Sequence, residues 1–158
     1  MESLDKEFIE VYKEIGRGQG VDEGFLTIFA RLYIEPGDLA MEDLAKETGY
    51  SLASISNKVN MFGHIIPIKK SRKPGSKKVY LYMDKDIIGM VKQAMVLKQI
   101  HGINIIKDKL PGILKEYKGK VKSKKDKKKL KILENYYSQS LKFEVILNKM
   151  SKELDKIK

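Results

Sequence analysis

From Met41 to Gly63, apolar residues keep helical spacing on both sides of a single glycine. No other stretch of the chain limits its fold so tightly. Met41, Leu44 and Ala45 line the inner face of a short helix. Gly49 can take the positive φ that ends it, and Ser51 is a good N-cap for the next helix. In that helix Leu52, Ile55, Val59 and Phe62 share one face, at spacings of 3, 4 and 3. Ala53, Ser54, Ser56, Asn57, Lys58 and Asn60 occupy the opposite face. Two short helices joined by a tight glycine turn make a helix-turn-helix. The motif needs a small residue where the helices touch (Ala45), and a glycine four residues later (Gly49). It also needs branched apolar residues to lock the second helix, here Ile55 and Val59. An ordinary helical hairpin shares part of this pattern.

A hairpin pattern follows directly. Ile66-Pro67-Ile68 alternates, as does Val79-Tyr80-Leu81-Tyr82. The ten residues between them, 69–78, are basic and carry Pro74-Gly75 as the turn. A helix-turn-helix followed by a basic β-hairpin predicts a winged helix. Small side chains on the second helix let its backbone approach the floor of a DNA major groove. The hairpin tip can reach phosphates or the minor groove.

The formal charge of +11 is local rather than diffuse. From Thr48 to Met83 there is no Asp or Glu, and seven bases: Lys58, Lys69, Lys70, Arg72, Lys73, Lys77 and Lys78. Lys118 to Lys131 holds nine lysines and one Asp, for +8. Taking +7 and +8 from +11 leaves −4 for the remainder. Such concentration points to a polyanion such as double-stranded DNA, although a lysine run such as the second is often only solvated surface.

The flanks read as helices. Leu4, Phe8, Tyr12 and Ile15 predict an amphipathic first helix, broken by Gly16, Gly18 and Gly20. Phe25, Ile28, Phe29 and Leu32 predict a second over about 21–34, with a turn at 35–38. After Asp84 a long helical rhythm begins, which Gly102 and Pro111 should bend or interrupt. Leu133, Tyr136, Ser140, Phe143, Leu147, Met150, Leu154 and Ile157 form a heptad seam with one polar member. On a small basic domain such a seam suits a homodimer, though it could equally pack on the chain's own core. The expected organisation is an N-terminal dimerisation helix (1–20), a winged helix-turn-helix (21–86), and long helices ending in a dimerisation helix (87–158). The fold class is mainly α with one small β-hairpin.

At this point the order of elements resembles MarR-type winged-helix transcriptional regulators, and most closely their GbsR-like branch. The matching residues run from Glu42-Asp-Leu-Ala-Lys-Glu-Thr-Gly to Tyr50-Ser-Leu-Ala-Ser-Ile-Ser-Asn-Lys-Val, then Lys73-Pro-Gly-Ser-Lys-Lys-Val-Tyr-Leu-Tyr. The first stretch is shared by many winged helices; the Pro-Gly-x-basic-basic-x-Tyr wing is more particular to the branch. The resemblance implies that Ser51, Ala53, Ser54, Asn57 and Lys58 face the major groove, with Arg72, Lys73, Lys77 and Lys78 as wing contacts. Lys69 and Lys70 extend the basic set. It also implies a small-molecule effector in a cleft that Tyr12, Phe29, Tyr33 and Met95 would line. There are departures. This wing lacks the Asp that commonly fixes a wing Arg, Lys77 stands where Arg is frequent, and Ala40 replaces the usual Ser or Thr cap.

Other classes find little support. Cysteine is absent, which excludes disulfides, a thiol nucleophile and sulfur-ligated zinc. No apolar run approaches the ~20 residues of a membrane span, and the acidic N-terminus is unlike a signal peptide. A soluble cytoplasmic protein is therefore expected. His64 and His101 are far apart in sequence, and His64 reads as a hinge or core residue. Gly16-Arg-Gly-Gln-Gly lacks the strand and Lys-Ser/Thr of a phosphate loop. No enzyme activity, metal or cofactor is expected. The alternative is an architectural protein that coats DNA with little specificity.

Overall fold

The computed structural model describes residues 3–63 and 66–157; His64 lies outside them. Asp22, Ser51 and Ser123 each stand one residue ahead of a helix and accept a hydrogen bond from the backbone N–H three residues on. The acceptor distances are 2.7 Å to Phe25, 3.2 Å to Ser54 and 3.0 Å to Asp126. Each cap contributes about 1 kcal/mol. They start α2 (Glu23–Ile34), α4 (Leu52–Phe62) and α7 (Lys124–Leu154). Before them comes α1 (Ser3–Arg17), and α3 (Met41–Thr48) lies between. The start of α3 at Ala40 has no side-chain cap, as the missing Ser or Thr implied. Gly49 ends α3 at φ 75°, with its N–H bonded to the Ala45 carbonyl.

The chain forms two compact units, residues 1–87 and 88–158. In the first, β1 (Leu39–Ala40), β2 (Ile68–Arg72) and β3 (Val79–Met83) form an antiparallel sheet in the order β1-β3-β2. Ile28, Leu32, Leu44, Ile55, Leu81 and Met83 are its fully buried centre. Burial of such side chains stabilises the fold by about 1.5–3 kcal/mol each. Lys85 fastens the end of β3 to α2, donating to the Leu32 carbonyl at 2.7 Å, and burial pushes its pKa down.

Several expectations need correction. Leu4 and Ile15 of α1 are 64% and 52% exposed, together with Val11. The packed face carries the buried Ile9 and Gly16 with the half-buried Phe8 and Tyr12. Gly16 is a packing residue: a Cβ there would stand 2.1 Å from a Leu26 methyl. Gly16→Ala should therefore cost about 1–3 kcal/mol, read as a lower unfolding midpoint in denaturant with unchanged slope. Leu52, expected on the inner face of α4, is 45% exposed. In the wing, β2 extends through Lys69, Lys70 and Arg72, so the connecting tip shortens to 73–78.

In the second unit, α5 (Ile87–Val91) leads into a π-helical turn (Lys92–Leu97) and then α6 (Lys98–Lys118). Gly102 and Pro111 do not interrupt α6, which passes through both. The irregularity falls earlier, in the π turn. The ion pairs Lys107–Glu144 at 2.8 Å and Lys118–Glu134 at 3.7 Å show α6 and α7 running antiparallel. Val96, Ile103 and Leu147 are the buried centre, with Ile100 and Leu154 against it. Ser140, also buried, donates to the Tyr136 carbonyl at 2.8 Å.

The heptad seam is thus divided. Leu147 and Leu154 are spent on the hairpin's own core, contrary to their expected place on an intermolecular seam, because periodicity does not say what a helix packs against. Leu133, Tyr136, Phe143, Met150 and Ile157 remain exposed.

Candidate nucleic-acid interface

The second helix of the motif presents the polar face its spacing implied. Ile55 and Val59 are buried, while Ser51, Ala53, Asn57 and Asn60 are exposed and Ser54 and Lys58 are half-buried. Small exposed residues at the start of α4 leave its N-terminal turn open to a close-fitting partner.

Lys58 is less free than its neighbours. Its ammonium bonds to the Asp22 carboxylate at 2.5 Å, and only 19% of the side chain is exposed. Lys58 holds the carboxyl of Asp22 below its usual value. The lysine lies over Gly24, where a Cβ would come within 2.7 Å of its Cε. One ion pair therefore joins the cap of α2 to the middle of α4.

The wing carries bases on both faces. Antiparallel register sets Lys70 opposite Leu81 and Arg72 opposite Val79 on one face. Lys69 opposite Tyr82 and Ser71 opposite Tyr80 take the other. On the first face Lys70 donates to the Asn60 side-chain oxygen, linking β2 to the end of α4. On the second, Lys69 is 5.6 Å from the Tyr82 ring centre and Lys73 is 4.2 Å from that of Tyr80. These are cation–π distances. At the tip Ser76 N–H donates to the Lys73 carbonyl at 3.0 Å, and Lys78 N–H donates to the Ser76 hydroxyl at 3.1 Å.

The wing has no acid of its own, yet three of its lysines have carboxylate partners from flanking segments. Lys69 meets Asp84 at 2.9 Å, Lys73 meets Asp38 at 3.7 Å and Lys78 meets Asp43 at 4.0 Å. Asp84 raises the pKa of Lys69. No ion pair of Arg72 or Lys77 occurs among the described residues.

From the sequence Asn60, Tyr80 and Tyr82 were read only as parts of a helix face and a strand, and the three aspartates were not read as partners of the wing. The pairing of Asp84 could have been read, since it directly follows the strand residue paired with Ile68. Asp38 and Asp43 carry no such local signal.

Three of the four residues suggested for an effector cleft lie together in the first unit. Tyr12, Phe29 and Tyr33 belong to one aromatic cluster with Phe8, with ring centres 4.9 Å apart for Tyr12–Phe29 and 5.8 Å for Phe29–Tyr33. Met95, 59% exposed, belongs to the other unit. Among the described residues no group of three or more His, Cys, Asp or Glu could hold a metal ion. No described helix is long and apolar enough to cross a membrane.

A solved structure described as the crystal structure of a transcriptional regulator is similar to this chain, with a TM-score of 0.66. The likeness covers 96% of this chain and 97% of that one at 14% sequence identity, and is one of fold. No family model and no curated protein matches the sequence.

Proposed function

We propose that the chain is a dimeric, sequence-selective DNA-binding transcriptional regulator of the MarR type. The observation that carries this reading is the joint surface of α4 and the wing. A polar helix face and a two-faced basic hairpin lie in one acid-free stretch and are tied together by Lys70 and Asn60. Likeness of fold to a transcriptional regulator over nearly the whole chain supports it.

In this reading α4 enters the major groove. Asn57 suits adenine, while Ser51 and Ser54 suit either a base or a phosphate. Ala53 lets the helix backbone come close. Lys69, Lys70, Arg72, Lys73, Lys77 and Lys78 meet phosphates or the minor groove. Lys58 holds α4 in place through Asp22 and reaches DNA only by leaving it. Lysines outnumber arginines 29 to 3, which favours phosphate binding over bidentate base reading. Dimerisation would use the apolar residues left exposed on α7, Leu133, Tyr136, Phe143, Met150 and Ile157, with Leu4, Val11 and Ile15 of α1.

Selection of bound sequences from random DNA at near-physiological salt tests the proposal. The expected product is an imperfect palindrome, with half-sites about 10–10.5 base pairs apart from centre to centre. A second reading, a weakly specific DNA-coating protein, draws on the exposed lysines of 118–131. It predicts no enriched motif and uniform protection in footprinting.

A further inference from the structure

Three ammonium groups of the wing are engaged by acids that lie outside it. Asp38 precedes β1, Asp43 is in the first turn of α3, and Asp84 follows β3. The three pairs are solvent-accessible, each side chain between 37% and 62% exposed. Such pairs are weak and exchangeable. Lys58–Asp22 differs, being largely buried on the lysine side and serving also as a helix cap. Arg72 and Lys77 form a natural contrast, with no ion pair among the described residues.

We propose that Asp38, Asp43 and Asp84 are built-in phosphate surrogates that set the affinity of the wing for DNA. The inference rests on the DNA-binding reading. A carboxylate and a phosphate oxygen are the same kind of acceptor for an ammonium donor. In the free protein Asp38, Asp43 and Asp84 pair with Lys73, Lys78 and Lys69. When a phosphate takes over, each aspartate is left as an uncompensated negative charge beside a polyanion. Part of every new lysine–phosphate interaction is therefore offset by the ion pair given up and by the repulsion created. The offset is the same for any base sequence, so it lowers affinity without changing preference. Arg72 and Lys77 contribute without exchange.

The test uses the full chain and fluorescence anisotropy with a random-sequence duplex at low salt. Asp38→Asn, Asp43→Asn and Asp84→Asn should each tighten binding about 2- to 5-fold, and the triple variant about tenfold or more. A double-mutant cycle decides whether the effect is local. In a Lys73→Gln background, Asp38→Asn should have a clearly smaller effect, since only the repulsion is left to relieve; Lys78 with Asp43, and Lys69 with Asp84, should behave alike. Binding that is unchanged or weaker in the variants overturns the proposal. So does a gain that persists undiminished in the Lys→Gln backgrounds, which would mark a general field effect of removing any acid. If the triple variant fails to fold by circular dichroism, the single variants carry the decision. A wild-type chain that binds DNA while its variants show no gain overturns this inference alone. A wild-type chain that binds no DNA overturns the DNA-binding reading as well.

Discussion

Arg31→Ala should lower the stability of the first unit by about 3–5 kcal/mol, the range for breaking a buried ion pair from one side. Arg31 is 7% exposed and sits among three carboxylates from three helical regions. Its Nε is 2.7 Å from Glu47 of α3 and 3.7 Å from Asp5 of α1, and a terminal nitrogen is 2.7 Å from Glu35, just past α2. Burial opposes the charged guanidinium, but Glu47 and Glu35 outweigh it and hold its pKa above the usual value. Removing the cation takes from Glu35 and Glu47 the counter-charge they share where α2 and α3 meet. Arg31→Lys keeps the charge, loses the forked geometry, and should fall between the two. Urea denaturation followed by circular dichroism gives the comparison. A change below about 1 kcal/mol for Arg31→Ala would show that water, not the arginine, satisfies these acids.

The second large effect concerns salt. With about three to five basic groups per subunit on phosphates, a dimer should show a log–log salt slope of about −5 to −9. Affinity would then fall about 10³- to 10⁵-fold between roughly 50 and 200 mM salt. The physical cause is release of counterions condensed on the duplex, one for each phosphate neutralised. Substituting Arg72 or Lys77 by Gln should make the slope shallower by about one for each phosphate no longer neutralised. Anisotropy titrations across the salt series measure this, and a flat slope would remove the electrostatic basis for the interface.

Features set by neighbours in sequence were readable in advance. Gly49 as a left-handed helix end, Ser51 as a cap and the alternation at Val79–Tyr82 all depend on a few adjacent residues. Features set by distant partners were not. β1 is two residues long, too short to show a period. The Lys69–Arg72 segment has poor strand propensity and is a strand because β3 pairs with it. Arg31 reads as a surface residue until Asp5, Glu35 and Glu47 are brought around it. On α7 the spacing identified the apolar positions, but only the position of α6 decides which are used within the chain. The polar face of α4 was legible; the carboxylates that engage the wing were not.

The sparse centre of the α6–α7 hairpin has a consequence for mass action. Val96, Ile103 and Leu147 make up its buried apolar centre, while many large apolar groups on the same helices face water. Ordering two long helices has an entropic cost that so small a centre offsets poorly. Any covering of the open stripe by a second copy adds free energy available only to the associated form. The hairpin's melting temperature should therefore climb with protein concentration, and dilution should loosen it before the winged unit.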